Sequence, residues 1–172
     1  SAARNTAIRL AKGIYILPVD ADDKIADTFI RGASLSGKLE LEAVYSRREV
    51  TGREYAAKHG IKKIYTDLND LVNDKEIQAV YIASPNSCHE WQSELLLQGG
   101  KHVICEKPIA TSAEGYQRLK ALADSRGLVY MEAIIPIFGK SRGQIKAALE
   151  KIGKIAIRFF CFLHKCSCLL IF

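Results

Sequence analysis

From Leu39 to Met131 the chain alternates short apolar runs with amphipathic stretches, and no Asn-Gly or Asp-Gly turn joins any two of the runs. Nothing in the sequence therefore asks for hairpins. The spacers are long enough for crossovers, which parallel strands require. The runs are Leu39–Tyr45, Ile61–Tyr65, Ile77–Ala83, His102–Cys105 and Leu128–Met131, with Gly13–Val19 ahead of them. Ile77–Ala83 (IQAVYIA) is almost continuously apolar, as a strand covered on both faces must be. Between the runs the spacing predicts helices. One opens on a Thr51/Glu54 capping box and closes at Gly60. Asp67–Val72 starts on an aspartate, and Glu90–Leu97 ends at Gly99–Gly100. A second capping box, Thr111/Glu114, opens a helix to Arg126 that Gly127 ends, and Gln144–Ile152 stops at Gly153. The fold class is α/β, an open doubly wound parallel sheet with its ligands at the carboxyl ends of the strands.

Charge first suggests something else. With 25 Lys+Arg against 19 Asp+Glu the net charge is +6, a balance that invites a nucleic acid or an anionic membrane. Its distribution removes the invitation. Residues 1–19 and 151–172 hold seven basic residues and no acid, whereas residues 20–150 hold 18 basic and 19 acidic side chains. The basic residues form no stripe and no aromatic interleaving, so neither nucleic acid nor membrane is expected as a partner. Gly13–Val19, with Pro18 inside it and Asp20 behind it, makes a poor signal sequence. Residues 155–172 are interrupted by Arg158, His164 and Lys165 and make a poor membrane span. Cys88 and Cys105, far apart, suit reduced thiols and a cytoplasmic location.

Three polar clusters follow the strands: Ser46-Arg47-Arg48, Ser84-Pro85-Asn86-Ser87-Cys88-His89 and Glu106-Lys107-Pro108. A lysine at a strand end can donate a hydrogen bond or proton to a reacting oxygen. The bland alternative is a solvated Lys-Glu pair before a proline turn, with Arg47 and Arg48 starting a solvated helix. Asn86 and His89 stand where they can line the crevice, although a histidine at a helix start is often a cap or a surface residue. Cys88-His89-Glu90 is no metal triad, because successive helical residues point apart. Trp91 and the Leu95–Leu97 run read as core face.

The ordered pair SPN-x-x-H and GKHV-x-x-EKP, with the VYSRR strand end, resembles the nucleotide-binding domain of the glucose–fructose oxidoreductase/inositol dehydrogenase (Gfo/Idh/MocA) family. The resemblance runs from about Ile25 to about Gly153. It implies a Rossmann-like domain, placed at residues 8–135, that binds NAD or NADP. Residues 136–172 would be a linker helix and the incomplete, atypical start of a second α+β substrate domain. It implies hydride transfer between a nicotinamide and a secondary alcohol of a sugar, polyol or similar small carbohydrate-like substrate, and leaves a homo-oligomer open. In this scheme Lys107 is catalytic, and Ser84, Pro85, Asn86, His89 and Glu106 lie on the cofactor, Glu106 orienting Lys107 or meeting the nicotinamide ribose. Ser46 with Arg47, 20 residues after Ala26, favours NADP over NAD. An NAD-specific domain places an acid there, and an arginine accommodates the 2′-phosphate.

The sequence departs from the family's pattern at both ends. The fingerprint Gly-x-Gly-x-x-Gly/Ala would place its two leading glycines at Ala21 and Asp23, and neither is glycine. Asp23, with Asp22 beside it, sets a side chain and negative charge against the pyrophosphate, so severely weakened dinucleotide binding, or none, is expected. Pro18 cannot donate to a ladder and is unwelcome in a central strand. At the other end, 19 residues follow Gly153 where the family continues through its substrate domain, so either a misread or frame-shifted end or a truncated or decayed copy is expected. An inactive remnant that keeps the fold is the alternative. Cys161, His164, Cys166 and Cys168 cluster, yet Cys166 and Cys168 alternate and no second knuckle follows, so no metal site is expected.

Overall fold

The computed structural model describes residues 13–18, 23–36 and 39–133. The chain divides between Ala133 and Ile134. The expected Gln144–Ile152 helix, the start of a second domain and the Cys161–Cys168 cluster lie outside the described residues.

Six parallel strands form one sheet in the order β3-β2-β1-β4-β5-β6. They are β1 Gly13–Pro18, β2 Leu39–Tyr45, β3 Lys63–Tyr65, β4 Ile77–Ile82, β5 His102–Cys105 and β6 Tyr130–Glu132. The helices are α1 Asp23–Ser36, α2 Glu49–His59, α3 Leu68–Asn73, α4 His89–Gln98 and α5 Ala113–Ser125, with a 3₁₀ turn at Asn86–Cys88 before α4. Strand order reverses between β1 and β4. In doubly wound sheets ligands bind at such a switch point, beyond the carboxyl ends of the strands.

Period-2 alternation sorts the strand side chains onto two faces, and both are covered. Ala43, Tyr45, Val80, Ile82, Val103 and Cys105 face a core completed by Leu68 and Leu71 of α3, Leu96 and Leu97 of α4, and Leu119 and Ala123 of α5. Val44 and Tyr81 face the opposite core, with Ala26 and Ile30 of α1 and Tyr55 and Ala56 of α2. This two-sided burial explains the unbroken apolar run of β4.

Several local expectations need correcting. α2 begins at Glu49 with Arg48 as an N-cap that makes no side-chain cap bond, so Thr51 lies inside the helix and its capping box with Glu54 does not form. The reason is upstream: the Ser46 hydroxyl accepts from the Arg48 N–H at 3.3 Å and donates to the Arg48 carbonyl at 2.9 Å, closing the turn early. α5 is capped by Ser112, whose Oγ accepts from the Gly115 N–H at 2.9 Å. Thr111 instead gives both its N–H and its hydroxyl to Glu90. Trp91 is 49% exposed rather than core, because the buried stripe of α4 runs through Gln92, Ser93, Leu96 and Leu97. Pro18 does sit in a central strand, but as its last residue, where a missing N–H falls at the end of the ladder. Asp67 caps α3 as expected, accepting from the Asn69 N–H at 2.8 Å. Gly60 ends α2 with φ 67°, a conformation that L side chains rarely adopt.

Candidate active site

The polar clusters stand at the carboxyl ends of β2, β4 and β5, and two of them are joined. The loop after β5 is anchored to β4 by the Glu106 N–H, which donates to the Ile82 carbonyl at 2.9 Å. The next link is His89. Its ring is completely buried, with Nδ1 2.7 Å from the Pro108 carbonyl and Nε2 2.8 Å from the Ser84 carbonyl. One side chain thus ties the SPN loop to the EKP loop. His89 is therefore no surface residue: its ring is enclosed between the two loops.

The remaining predicted residues divide by exposure. Ser84 is buried, and its hydroxyl donates to Gln92 Oε1 at 2.5 Å. Glu106 is buried, accepting from the Tyr81 hydroxyl on Oε1 and from the Lys107 N–H on Oε2 at 3.3 Å. Pro85 is half-buried, while Asn86 and Lys107 are exposed. The Lys107–Pro108 peptide is cis. At the end of β2, Ser46 is buried with its hydroxyl committed to Arg48, while Arg47 and Arg48 are exposed. Ala21 lies outside the described residues. Asp23 opens α1, and its side chain is likewise outside the described set.

Sequence reasoning missed four residues that hold this edge. Gln92 is buried against Ser84, and Tyr81 against Glu106. Glu132, at the end of β6, accepts from the Ile109 N–H at 2.9 Å, and the Tyr130 hydroxyl donates to the Ile109 carbonyl at 3.1 Å. A usable signal existed for Glu132, a carboxylate ending an apolar strand. For Gln92, at i+3 from His89, the sequence offered only a polar residue on a helix. Burial pushes the Tyr81 phenol well above its ordinary range, and the Glu106 carboxylate adds to the effect. Cys105, buried beside this loop, is likewise pushed up, chiefly by desolvation, and is no thiolate nucleophile.

Residues 23–134 match a family model described as an oxidoreductase family with an NAD-binding Rossmann fold, Gfo/Idh/MocA. The chain belongs to this family. It is 37% identical over 131 residues to a scyllo-inositol 2-dehydrogenase (NADP(+)) of Bacillus subtilis, covering 76% of this chain and 40% of that protein. It is 33% identical over 105 residues to a 1,5-anhydro-D-fructose reductase of Ensifer adhaerens, covering 61% of this chain and 32% of that one. Among solved structures, an NAD-binding oxidoreductase of Klebsiella pneumoniae superposes with TM-score 0.65 at 30% identity, over 73% of this chain and 35% of its own. The chain spans about two-fifths or less of the curated relatives it matches. Among the described residues no helix is long and apolar enough to cross a membrane.

Two features of this Gfo/Idh/MocA domain bear on whether its residues suit a dinucleotide. α2 starts without a side-chain cap, next to two exposed arginines, which suits an anionic group. The edge formed by β4 and β5 carries a buried carboxylate and an exposed lysine on consecutive residues, which suits hydroxyl groups and a reacting oxygen.

Proposed function

We propose that this chain is the nucleotide-binding half, residues 8–135, of an NAD(P)-dependent oxidoreductase acting on a secondary alcohol of a sugar, polyol or related small molecule, with NADP preferred to NAD. The observation that carries the reading is the union of the SPN and EKP loops through His89 at the switch-point edge of the sheet. In this reading the exposed Asn86 and Lys107 share the rim of the site. When bound, the nicotinamide supplies or accepts the hydride. The chain's own residues bind and orient. Lys107, exposed at the rim, donates to the reacting oxygen. Glu106 accepts from a sugar hydroxyl, Asn86 and Pro85 bound the nicotinamide side, and Arg47 with Ser46 and the start of α2 receives the 2′-phosphate. The location consistent with this chemistry and with the reduced thiols Cys88 and Cys105 is the cytoplasm.

Calorimetric titration with NADPH and NADH tests the reading. The expected result is saturable NADPH binding, tighter than NADH. Absence of binding by either, in the chain and in an Ala21→Gly/Asp23→Gly variant alike, rejects it. A second reading is favoured by Ala21 and Asp23 themselves: a remnant that keeps the fold without turnover. Hydride transfer from NADPH to a polyol-derived ketone by the chain would refute that alternative.

A further inference from the structure

Tyr81 does more than a core aromatic in β4 needs to do. It is 1% exposed and its ring stacks on Phe29 of α1, centroids 3.8 Å apart and planes 6° from parallel. Phenylalanine would satisfy that packing equally well. The hydroxyl is an added buried donor, and a buried donor has to find a partner. The strand register supplies one. Tyr81 pairs with Ile104 of β5, and Glu106 lies two residues beyond Ile104, hence on the same face in the diagonal position. The hydroxyl reaches that carboxylate and donates to Oε1. The other oxygen, Oε2, lies on the Lys107 side, 3.3 Å from the Lys107 N–H.

We propose that Tyr81 is a positioning residue for the site: by occupying Oε1 from beneath, it fixes the rotation of the Glu106 carboxyl group and leaves Oε2 as the oxygen presented to a ligand hydroxyl beside Lys107. A carboxylate at a strand end with neither oxygen held would sample both orientations. One held on one oxygen by a charge-assisted bond offers a single acceptor direction. The clause about the ligand rests on the function proposed above; the pairing of Tyr81 with Glu106 does not.

Two measurements on the full chain separate those parts. Tyr81→Phe keeps the ring stack and removes the hydroxyl alone. NADPH affinity is expected to fall about fivefold to tenfold in Tyr81→Phe, the scale of one lost charged hydrogen bond. In Glu106→Gln the further loss on adding Tyr81→Phe should vanish. Full additivity of the two substitutions would overturn the positioning role. The second measurement needs no ligand. A slowly exchanging, downfield proton resonance correlated with the Tyr81 ring is expected, moving upfield in Glu106→Gln. A resonance that ignores Glu106→Gln, or a hydroxyl exchanging like a solvent-exposed phenol, overturns the pairing. Failure of both the unsubstituted chain and its Ala21→Gly/Asp23→Gly variant to bind NADPH or NADH would reject the proposed function, and the proton resonance would then decide the pairing by itself.

Discussion

At the carboxyl ends of β4 and β5, four buried polar residues, Ser84, His89, Gln92 and Glu106, bind the loops to one another and to the strands beneath. At the carboxyl end of β2, a serine hydroxyl closes the turn, and Arg47 and Arg48 are exposed. The two regions sit on the same edge of one sheet, yet they are held by different means. The difference follows from what each is asked to do under the proposed function. A reacting oxygen and a hydride donor tolerate little misplacement, so their rim has to be fixed by bonds shielded from water. A phosphate is recognised by charge over a broad range of geometry, and flexible guanidinium groups suffice.

The largest expected effect lies on the fixed rim. His89→Ala leaves the Ser84 and Pro108 carbonyls without their shared partner and opens a cavity at a completely buried site. A loss of about 3 kcal/mol in urea unfolding is expected. A loss below about 1 kcal/mol would show that the two loops are not joined in this way and would erase the contrast between the regions.

On the outer side of the sheet, polar bonding exists but is close to water. Asp74 accepts from the Tyr65 hydroxyl and pairs with Lys63 at 2.9 Å, with Glu76 on the same lysine. The Tyr65 hydroxyl, then Lys63, hold the Asp74 carboxyl at about 2, below its ordinary 3.8. Because the folded value is the lower one, this stabilisation is present above about pH 4 and is lost as pH falls towards 2. Asp74→Asn should therefore cost about 1 kcal/mol at neutral pH and flatten the acid limb between pH 4 and 2 in a denaturation series. An unchanged acid limb would remove Asp74 as its source. Ser46→Ala comes next, with a loss of about 0.5–1 kcal/mol as the start of α2 frays, visible as faster amide exchange at Arg48 and Glu49.

How much of this was legible in sequence follows the same division. Strands β2 and β5 were readable to the residue, because apolar runs bounded by polar clusters have no competing explanation. The two capping boxes were misread for different reasons: the helix at Thr51 starts earlier, after a turn that Ser46 closes on Arg48, whereas Glu90 takes the N–H and hydroxyl of Thr111. Local pattern carries no information about the second, since Glu90 lies 21 residues from Thr111. The SPN and EKP motifs were legible as loops at strand ends. Their connection was not, since the Nδ1 bond of His89 reaches 19 residues along the chain to Pro108. Trp91 shows the converse error: an apolar residue beside a core stripe was counted into it, although the stripe turns just past it.

The smallest effect on stability falls at Arg47, and there the comparison is decided most sharply. Its side chain is exposed, and Arg47→Ala should cost less unfolding free energy than any of the substitutions above. Its effect on ligand binding should be selective: NADPH affinity reduced about tenfold or more, NADH affinity unchanged, because only the former carries the 2′-phosphate. Raising the salt concentration should weaken NADPH binding in the unsubstituted chain and do so less in the variant, since a solvent-exposed charge contact is screened. His89→Gln should behave oppositely, losing stability first and discriminating between the two dinucleotides hardly at all. If Arg47→Ala weakens both cofactors equally, the end of β2 is not where NADP is told from NAD, and the division between a fixed rim and a charged one fails at the point where it was meant to serve recognition.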